Sequence, residues 1–284
     1  MSVTPPGRAH VFDIADARHR ARVVDAVSGG APMGYWFGNF CVIGSRPARS
    51  AFLRINRAKG RPDEQPGSVV TTPERLTRMF DWSLLPGGLD RGAVVGALDA
   101  LVGLGPIGMR GPATDTIPDH LSAWDGGVRT VQVVLPGQGC PSNILVDELL
   151  DRIGGDVIFG TSANVSKLVT GRVTPSHNEM RAFIAEFGRW PDMVFVGPAD
   201  EAATRARYPL HLPGSTSLLS FHRMASTGGR AAMVLERHGS LAPDVIRGVL
   251  ANHGLSLVPA DAACHRLPMR ELNARAPVLV EVST

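Results

Sequence analysis

Helix-period and strand-like segments alternate along nearly the whole chain, and this alternation constrains the fold more than any other feature. Apolar residues three or four apart predict helices at 15–28, 47–59, 141–153 and 175–187. Short β-rich runs lie among and beyond them, at 40–44, 68–72, 128–135, 156–160, 192–197, 217–221 and 231–235. A further helix fits 243–254, and 278–282 fits an edge strand. Such alternation predicts an α/β fold, a mixed sheet with helices packed on it. In the 175–187 segment Ser176 and Glu179 stand at capping-box spacing and Gly188 suits a left-handed stop, with Met180, Phe183, Ile184 and Phe187 on one face.

A chain of 284 residues, 44% of them hydrophobic, can bury its core without a disulfide or metal staple. Neither a repeat nor a long linker marks a second domain, so the expected organisation is one domain over 1–254 with a C-terminal extension, 255–284, packed on it. No apolar run approaches the roughly 20 residues a membrane helix needs. The first residues lack a basic stretch followed by an apolar one, which argues against a secretory signal. Cys41, Cys140 and Cys264 lie far apart and form no Cys-x-x-Cys, so a cytoplasmic setting is expected. A net charge of +3 is too weak to mark a nucleic-acid binder but is compatible with a local anion site.

Two apparent motifs carry little. "GLGPIG" (103–108) satisfies G-x-G-x-x-G, but it follows a helix-like "ALDALVG" and contains Pro106, the reverse of the strand-to-helix context that a dinucleotide site needs. Cys41 fits a strand core; Cys140, at a loop and helix start, is in a place that can lower a thiol pKa, though an inert loop thiol is the simpler reading. The nine histidines include no H-x-x-x-H pair on a predicted helix, and His177 fits an exposed first-turn position.

Three other stretches point to anion and nucleotide chemistry. "RAKGRP" (57–62) places Arg57, Lys59 and Arg61 at alternate positions where a helix gives way to a proline-stiffened loop, so three cations can converge on one anion. A helix C-terminus also attracts cations through its dipole, without any ligand. "IFGTSANVSK" (158–167) follows an apolar run with hydroxyl and amide groups suited to an adenine, a ribose or a phosphate. "LPGSTSLLSF" (212–221) puts Gly214, Ser215 and Thr216 before a strand, where backbone N–H groups and hydroxyls can cradle an anion.

In this order the three stretches resemble the YrdC-type threonylcarbamoyl-AMP synthase family, over about residues 20–254. The family's Lys-x-Arg-Pro appears as "KGRP", its Ser-x-Asn as "TSANVS", its Pro-Ser-Thr segment as "GSTSLL", and its closing strand, glycine turn and helix as "VLERHGSLAPDVIRGVL". The resemblance implies a YrdC-like twisted, open mixed sheet around a wide basic groove. It also implies condensation of L-threonine, bicarbonate and ATP into threonylcarbamoyl-AMP with release of pyrophosphate, for a tRNA modification. Arg57, Lys59 and Arg61 would then bind the triphosphate, with Lys59 and Arg61 stabilising charge as pyrophosphate departs. Ser162 and Asn164 would hold the adenylate, Thr174 and Ser215 would bond phosphate or carbamate oxygens, and Arg237 would add a cation. Mg2+ is expected with the polyphosphate.

The amino-acid side departs from the family pattern. Where the family has Tyr-Pro-Thr-Glu-Thr the chain has "YWFGNFCVIG" (35–44), with Phe37 at the threonine-contacting position; Gly108 replaces a threonine and Val134 an arginine. Each lost polar partner costs roughly 1 to 3 kcal/mol. Tyr35, Trp36, Phe37, Gly108 and Arg110 are therefore the candidate pocket for a different, more apolar amine, with Arg110 or Arg129 as substitutes for the arginine and Lys167 as an added phosphate contact. Two other readings remain, a catalytically silent relative that binds RNA or nucleotide and a carbamoyltransferase handling carbamoyl-AMP.

Overall fold

The computed structural model describes residues 11–223, 225–227 and 230–269, and its framework is one mixed sheet of thirteen strands. The strands are β1 (Val11–Asp13), β2 (Met33–Phe37), β3 (Phe40–Ser45), β4 (Ser68–Val70), β5 (Ile107–Pro112), β6 (Ser122–Asp125) and β7 (Val128–Leu135). They continue with β8 (Ile158–Ser162), β9 (Val194–Gly197), β10 (Ser217–Ser220), β11 (Ser226–Thr227), β12 (Arg230–Arg237) and β13 (Ser256–Pro259). The spatial order is β1-β9-β2-β3-β8-β4-β7-β5-β10-β12-β11, with β13 beside β12 and β6 beside β7. Non-consecutive strands such as β3 and β8, or β4 and β7, are neighbours, so residues far apart in sequence share each part of the sheet.

The helices are α1 (Ala17–Ser28), α2 (Arg49–Ala58), α3 (Arg91–Leu104), α4 (Ser142–Ile153), α5 (Lys167–Thr170), α6 (Met180–Phe187), α7 (Glu201–Ala206) and α8 (Pro243–Asn252). Aspartates cap three of them: Asp16 accepts from Arg18 N at 2.7 Å, Asp90 from Ala93 N at 2.8 Å and Asp200 from Ala203 N at 2.8 Å. Two apolar cores result. The larger includes Phe52 and Ile55 of α2, Leu98 and Leu101 of α3, Phe183 of α6 and Ile246 of α8. The smaller joins Val23 and Val27 of α1 and Leu145 and Leu149 of α4 to Tyr35, Phe37, Phe40, Val42, Val70 and Val134 of the sheet.

Most expected elements appear within a few residues of their predicted bounds, and β7 matches 128–135 at both ends. The 175–187 segment does not. Its helix begins only at Met180, because Ser176 Oγ is engaged elsewhere, donating to Cys41 O at 2.5 Å and accepting from Ala163 N at 2.8 Å. Gly188 is right-handed at φ −65°, so it is not the left-handed stop expected. His177 is buried rather than exposed, with its backbone N donating to Ala163 O at 2.9 Å and its ring against Glu186.

"GLGPIG" ends α3 and opens β5, a helix-to-strand turn with Gly105 at φ 140°. The possible strand at 278–282 lies outside the described residues. Residues 256–259 form β13, parallel to β12. No helix among the described residues is long and apolar enough to cross a membrane.

Gly34 shows how tightly β2 meets α6. A Cβ there would lie 2.5 Å from the Phe183 ring and 2.9 Å from Phe195. Gly34→Ala is expected to cost about 1 to 3 kcal/mol through overpacking, read as a lower denaturant midpoint at unchanged slope.

Candidate functional site

Helices α1 and α4 cover only part of their face of the sheet. Where they stop, a cavity of about 520 Å3 opens over β3, β8, β4, β7 and β5, and Phe40, Val42 and Val134 of the smaller core also line its floor. Much of the remaining lining is polar and comes from strand ends and the loops beside them, including Lys59, Arg61, Ser162, Asn164, Thr174, Ser215 and Arg237, with Pro66, Leu168 and Val173 as apolar neighbours. Side chains from distant stretches of sequence thus reach one concave surface, the usual setting for a ligand site.

Lys59 is the C-cap of α2 and only 2% exposed. Its Nζ donates to Thr161 Oγ1 at 2.9 Å and to Ser162 O, at the end of β8, while its own carbonyl accepts from Ser166 N at 2.9 Å. Burial, together with the nearby Arg61 charge, holds the amine well below the ordinary lysine range. Arg61 donates to Thr161 Oγ1 at 3.0 Å and to Pro66 O at 2.8 Å, and burial lowers its pKa to about 10. The loop carrying both cations is tied down by buried Asn56, whose Nδ2 donates to Asp63 O and Gln65 O, each at 3.0 Å.

Arg57 does not join them. It lies on the outer side of α2 and pairs with Asp63 at 2.6 Å, and that partner raises its pKa. The expected convergence of three cations is therefore a convergence of two, because Arg57 is still within α2 and faces away from the loop that carries Lys59 and Arg61.

Asn164 Nδ2 donates to Val165 O at 3.1 Å and Thr174 O at 2.9 Å, closing the loop after β8, while its buried Oδ1 accepts no bond from any described residue. Across the cavity Arg237 donates from Nε to Thr216 O and from Nη2 to Thr216 Oγ1, both at 2.8 Å. Burial, then the neighbouring Arg110 charge, lowers its pKa to about 10. Gly239 makes this wall possible, since a Cβ there would come within 2.3 Å of Ser215 O. Lys167, at the start of α5, lines the rim.

The pocket expected from Tyr35, Trp36 and Phe37 is not there. All three are buried in β2, at 0%, 1% and 0% exposure, with Trp36 in the larger core and the other two in the smaller. Gly108 packs against Leu218 and Val134 and does not line the cavity. Arg110 does, donating to Gln132 Oε1 at 2.9 Å and pairing with Glu236 at 3.1 Å. Arg129 is engaged elsewhere, with Ser122, Thr114 O and Asp119. Lining residues that sequence reasoning missed include Phe40, Val42, Ser68, Gln132 and Thr161 on the strands. Their signal was weak because strand residues become a floor only through long-range pairing.

Cys41 is strand core, and Cys140 is buried beside Ser142 with its thiol pKa raised by burial, opposite to the activation that a helix start can give. No carboxylate, imidazole or thiol of the described residues lines the cavity. A Mg2+ there would accordingly be carried by the phosphates of a bound nucleotide, as part of the substrate. Among the described residues one group, Asp125, His222 and Glu236, could hold a metal, but Arg223 and Arg110 already pair with its carboxylates.

No protein-family model and no curated protein sequence matches the chain. Solved structures do. Sua5 of P. abyssi complexed with L-threonine aligns at TM-score 0.57 and 16% identity, covering 90% of this chain and 65% of that one. A hypothetical protein, smu.1377c of Streptococcus mutans, aligns at TM-score 0.60 and 14% identity, covering 83% and 92%. E. coli YciO aligns at TM-score 0.51 and 15% identity, covering 75% and 90%. This chain thus spans just under two-thirds of the Sua5 chain, and it has the YrdC/Sua5-type fold.

Depressed basicity of Lys59 gives a sign to test. Unfolding takes up a proton between the lowered folded value and the ordinary lysine range, so stability rises with pH through that window. Relative to Lys59→Met, wild-type stability is expected to climb as the pH rises toward the ordinary lysine range, read as a Tm that increases with pH more steeply in the wild type than in the variant. Parallel pH profiles of the two proteins would show instead that Lys59 stays protonated.

Proposed function

We propose that this protein is an ATP-dependent enzyme that joins a carbamoylated amine to AMP and releases pyrophosphate. The observation that carries the reading is the placement of Lys59 and Arg61 at the end of β8, beside the Ser162–Asn164 loop and opposite Ser215 and Arg237, on one cavity of a YrdC/Sua5-type fold. The first of these structures binds L-threonine, which supports an amino acid as the amine.

In this reading the adenylate lies along Ser162, Asn164 and Thr174, where Asn164 Oδ1 can accept a ligand N–H or O–H. The triphosphate faces Lys59 and Arg61. Amine and bicarbonate give a carbamate and a molecule of water; a carbamate oxygen attacks the α-phosphorus, the bond from that phosphorus to the bridging oxygen of the β-phosphate breaks, and pyrophosphate leaves. Mg2+ on the phosphates offsets part of the charge of the leaving group. The chain's own contribution is orientation and positive charge, from Arg61 and from Lys59 once an anion is bound, in a cavity lined by no carboxylate or imidazole of the described residues. A bound phosphate would also favour the charged form of the buried Lys59 amine, so nucleotide binding should take up a proton at pH values below the ordinary lysine range.

Pyrophosphate release from ATP, Mg2+ and bicarbonate with each of the twenty amino acids tests the reading. At least one amino acid should stimulate release, and Lys59→Ala should lower the rate by about 100-fold or more. Nucleotide binding without release from any amine, joined to salt-sensitive RNA binding, would support the silent RNA-binding reading instead.

A further inference from the structure

One row of residues crosses the cavity floor at a common register. Ser68 of β4 pairs with Gly160 of β8, Gln132 of β7 pairs with Arg110 of β5, and the side chains of Gln132 and Ser68 bond across β7 and β4. All four residues line the cavity.

The direction of each bond in this row follows from what its members are able to donate. A guanidinium has no acceptor, so Arg110 Nη2 gives its hydrogen to Gln132 Oε1, at 2.9 Å. The amide oxygen of Gln132 therefore faces β5 and its nitrogen faces β4, where Nε2 donates to Ser68 Oγ at 2.6 Å. Glu236, paired with Arg110 Nε at 3.1 Å, steadies the far end. Ser68 Oγ is thus an acceptor within the protein, and no described residue accepts the hydrogen that its hydroxyl still carries. Ser68 is 8% exposed and lines the cavity, so that hydrogen is left for a ligand. A donor at the end of such a chain is strengthened by the bonds behind it.

Position selects the ligand group. Ser68 stands one strand spacing, about 5 Å, from β8, and two spacings, about 10 Å, from Arg110 on β5. Lys59 and Arg61 meet the end of β8 at Thr161 Oγ1. In the proposed reaction the carbamate carbon is bonded to the amine nitrogen on one side and, through an oxygen, to the α-phosphorus on the other. It lies between nucleotide and amine, as Ser68 lies between the two ends of the floor. A neutral donor suits that group, because it holds one carboxyl oxygen without pairing the other, which must attack.

Resting on the reading above that the cavity joins a carbamoylated amine to AMP, we infer that Ser68 donates its hydroxyl hydrogen to the non-attacking oxygen of the carboxyl group that bicarbonate supplies. Gln132 and Arg110 are then positioning residues that keep the hydroxyl turned toward the cavity. No proton is transferred; the same hydrogen bond serves bicarbonate, carbamate and the carbonyl of the product.

The test is pyrophosphate release at saturating ATP and Mg2+ as a function of bicarbonate, with the amino acid that best stimulates release, and with ATP affinity measured separately. Ser68→Ala should lower kcat/KM for bicarbonate by about 30-fold or more while the Kd for ATP stays within about threefold, and Ser68→Thr should recover most of the loss. Gln132→Glu keeps a partner for Arg110 but can only accept, so it draws the Ser68 hydrogen away from the cavity. It should lose at least as much as Ser68→Ala, and adding Ser68→Ala to it should cost less than about threefold more. Unchanged kcat/KM for bicarbonate in Ser68→Ala, a smaller loss in Gln132→Glu, or a full further loss in the double variant would overturn the inference. If no amino acid releases pyrophosphate, the proposed reaction fails, and line broadening of carbon-13 bicarbonate by protein loaded with a non-hydrolysable ATP analogue decides the inference alone. Broadening by the wild type that Ser68→Ala loses and Ser68→Thr restores upholds it; equal broadening by wild type and Ser68→Ala, or none by the wild type, overturns it.

Discussion

A lysine amine withdrawn from water at the end of β8 organises the site. Lys59 is almost fully buried, and a buried ammonium is costly unless neighbouring oxygens meet its protons. Thr161 Oγ1 and Ser162 O do so, and the Lys59 carbonyl in turn receives Ser166 N. Three segments, the exit of α2, the end of β8 and the start of α5, are thus held together around one side chain. Arg61 shares Thr161 Oγ1 with it, so a guanidinium and a lysine amine of lowered basicity sit close, with no acidic side chain among the described residues lining the cavity. Such an arrangement favours an arriving anion, which stabilises the charged form of the amine.

The rest of the cavity follows from how the sheet is covered. Helices α1 and α4 shield one end of a face, and the uncovered strands supply a floor on which core valines give way to Gln132, Ser68 and Arg110. Arg110, Gln132 and Ser68 form a chain of hydrogen bonds across β5, β7 and β4, with Gln132 Nε2 donating to Ser68 Oγ at 2.6 Å. Polar side chains that satisfy one another in this way keep fixed orientations while remaining open to a ligand.

The phosphate side was legible in the sequence because its residues sit in short local stretches. Lys59 and Arg61 share one loop, Ser162 and Asn164 another, and each stretch carries its signal within a few residues. The amine side was not legible. "YWF" at 35–37 looked like a lining because aromatic residues often line pockets, yet β2 is buried on both faces between β9 and β3, and all three side chains go into cores. Period alone cannot distinguish such a strand from a pocket edge, since neither alternates. Arg57 misled for a simpler reason, as alternate positions converge only within one extended segment and α2 ends between Arg57 and Lys59. Ser176 and Glu179 match a capping box, but the hydroxyl serves Cys41 and Ala163 instead, a tertiary use that local spacing cannot reveal.

Phe40, Val42 and Val134 belong at once to a core and to the cavity floor. Any substitution that retunes the floor also perturbs packing against α1 and α4, so selection on what the cavity accepts and selection on whether the chain folds act through the same side chains. Lineages with this architecture would change specificity by exchanging residues of nearly equal volume, or only after stabilising changes elsewhere had given them room to drift.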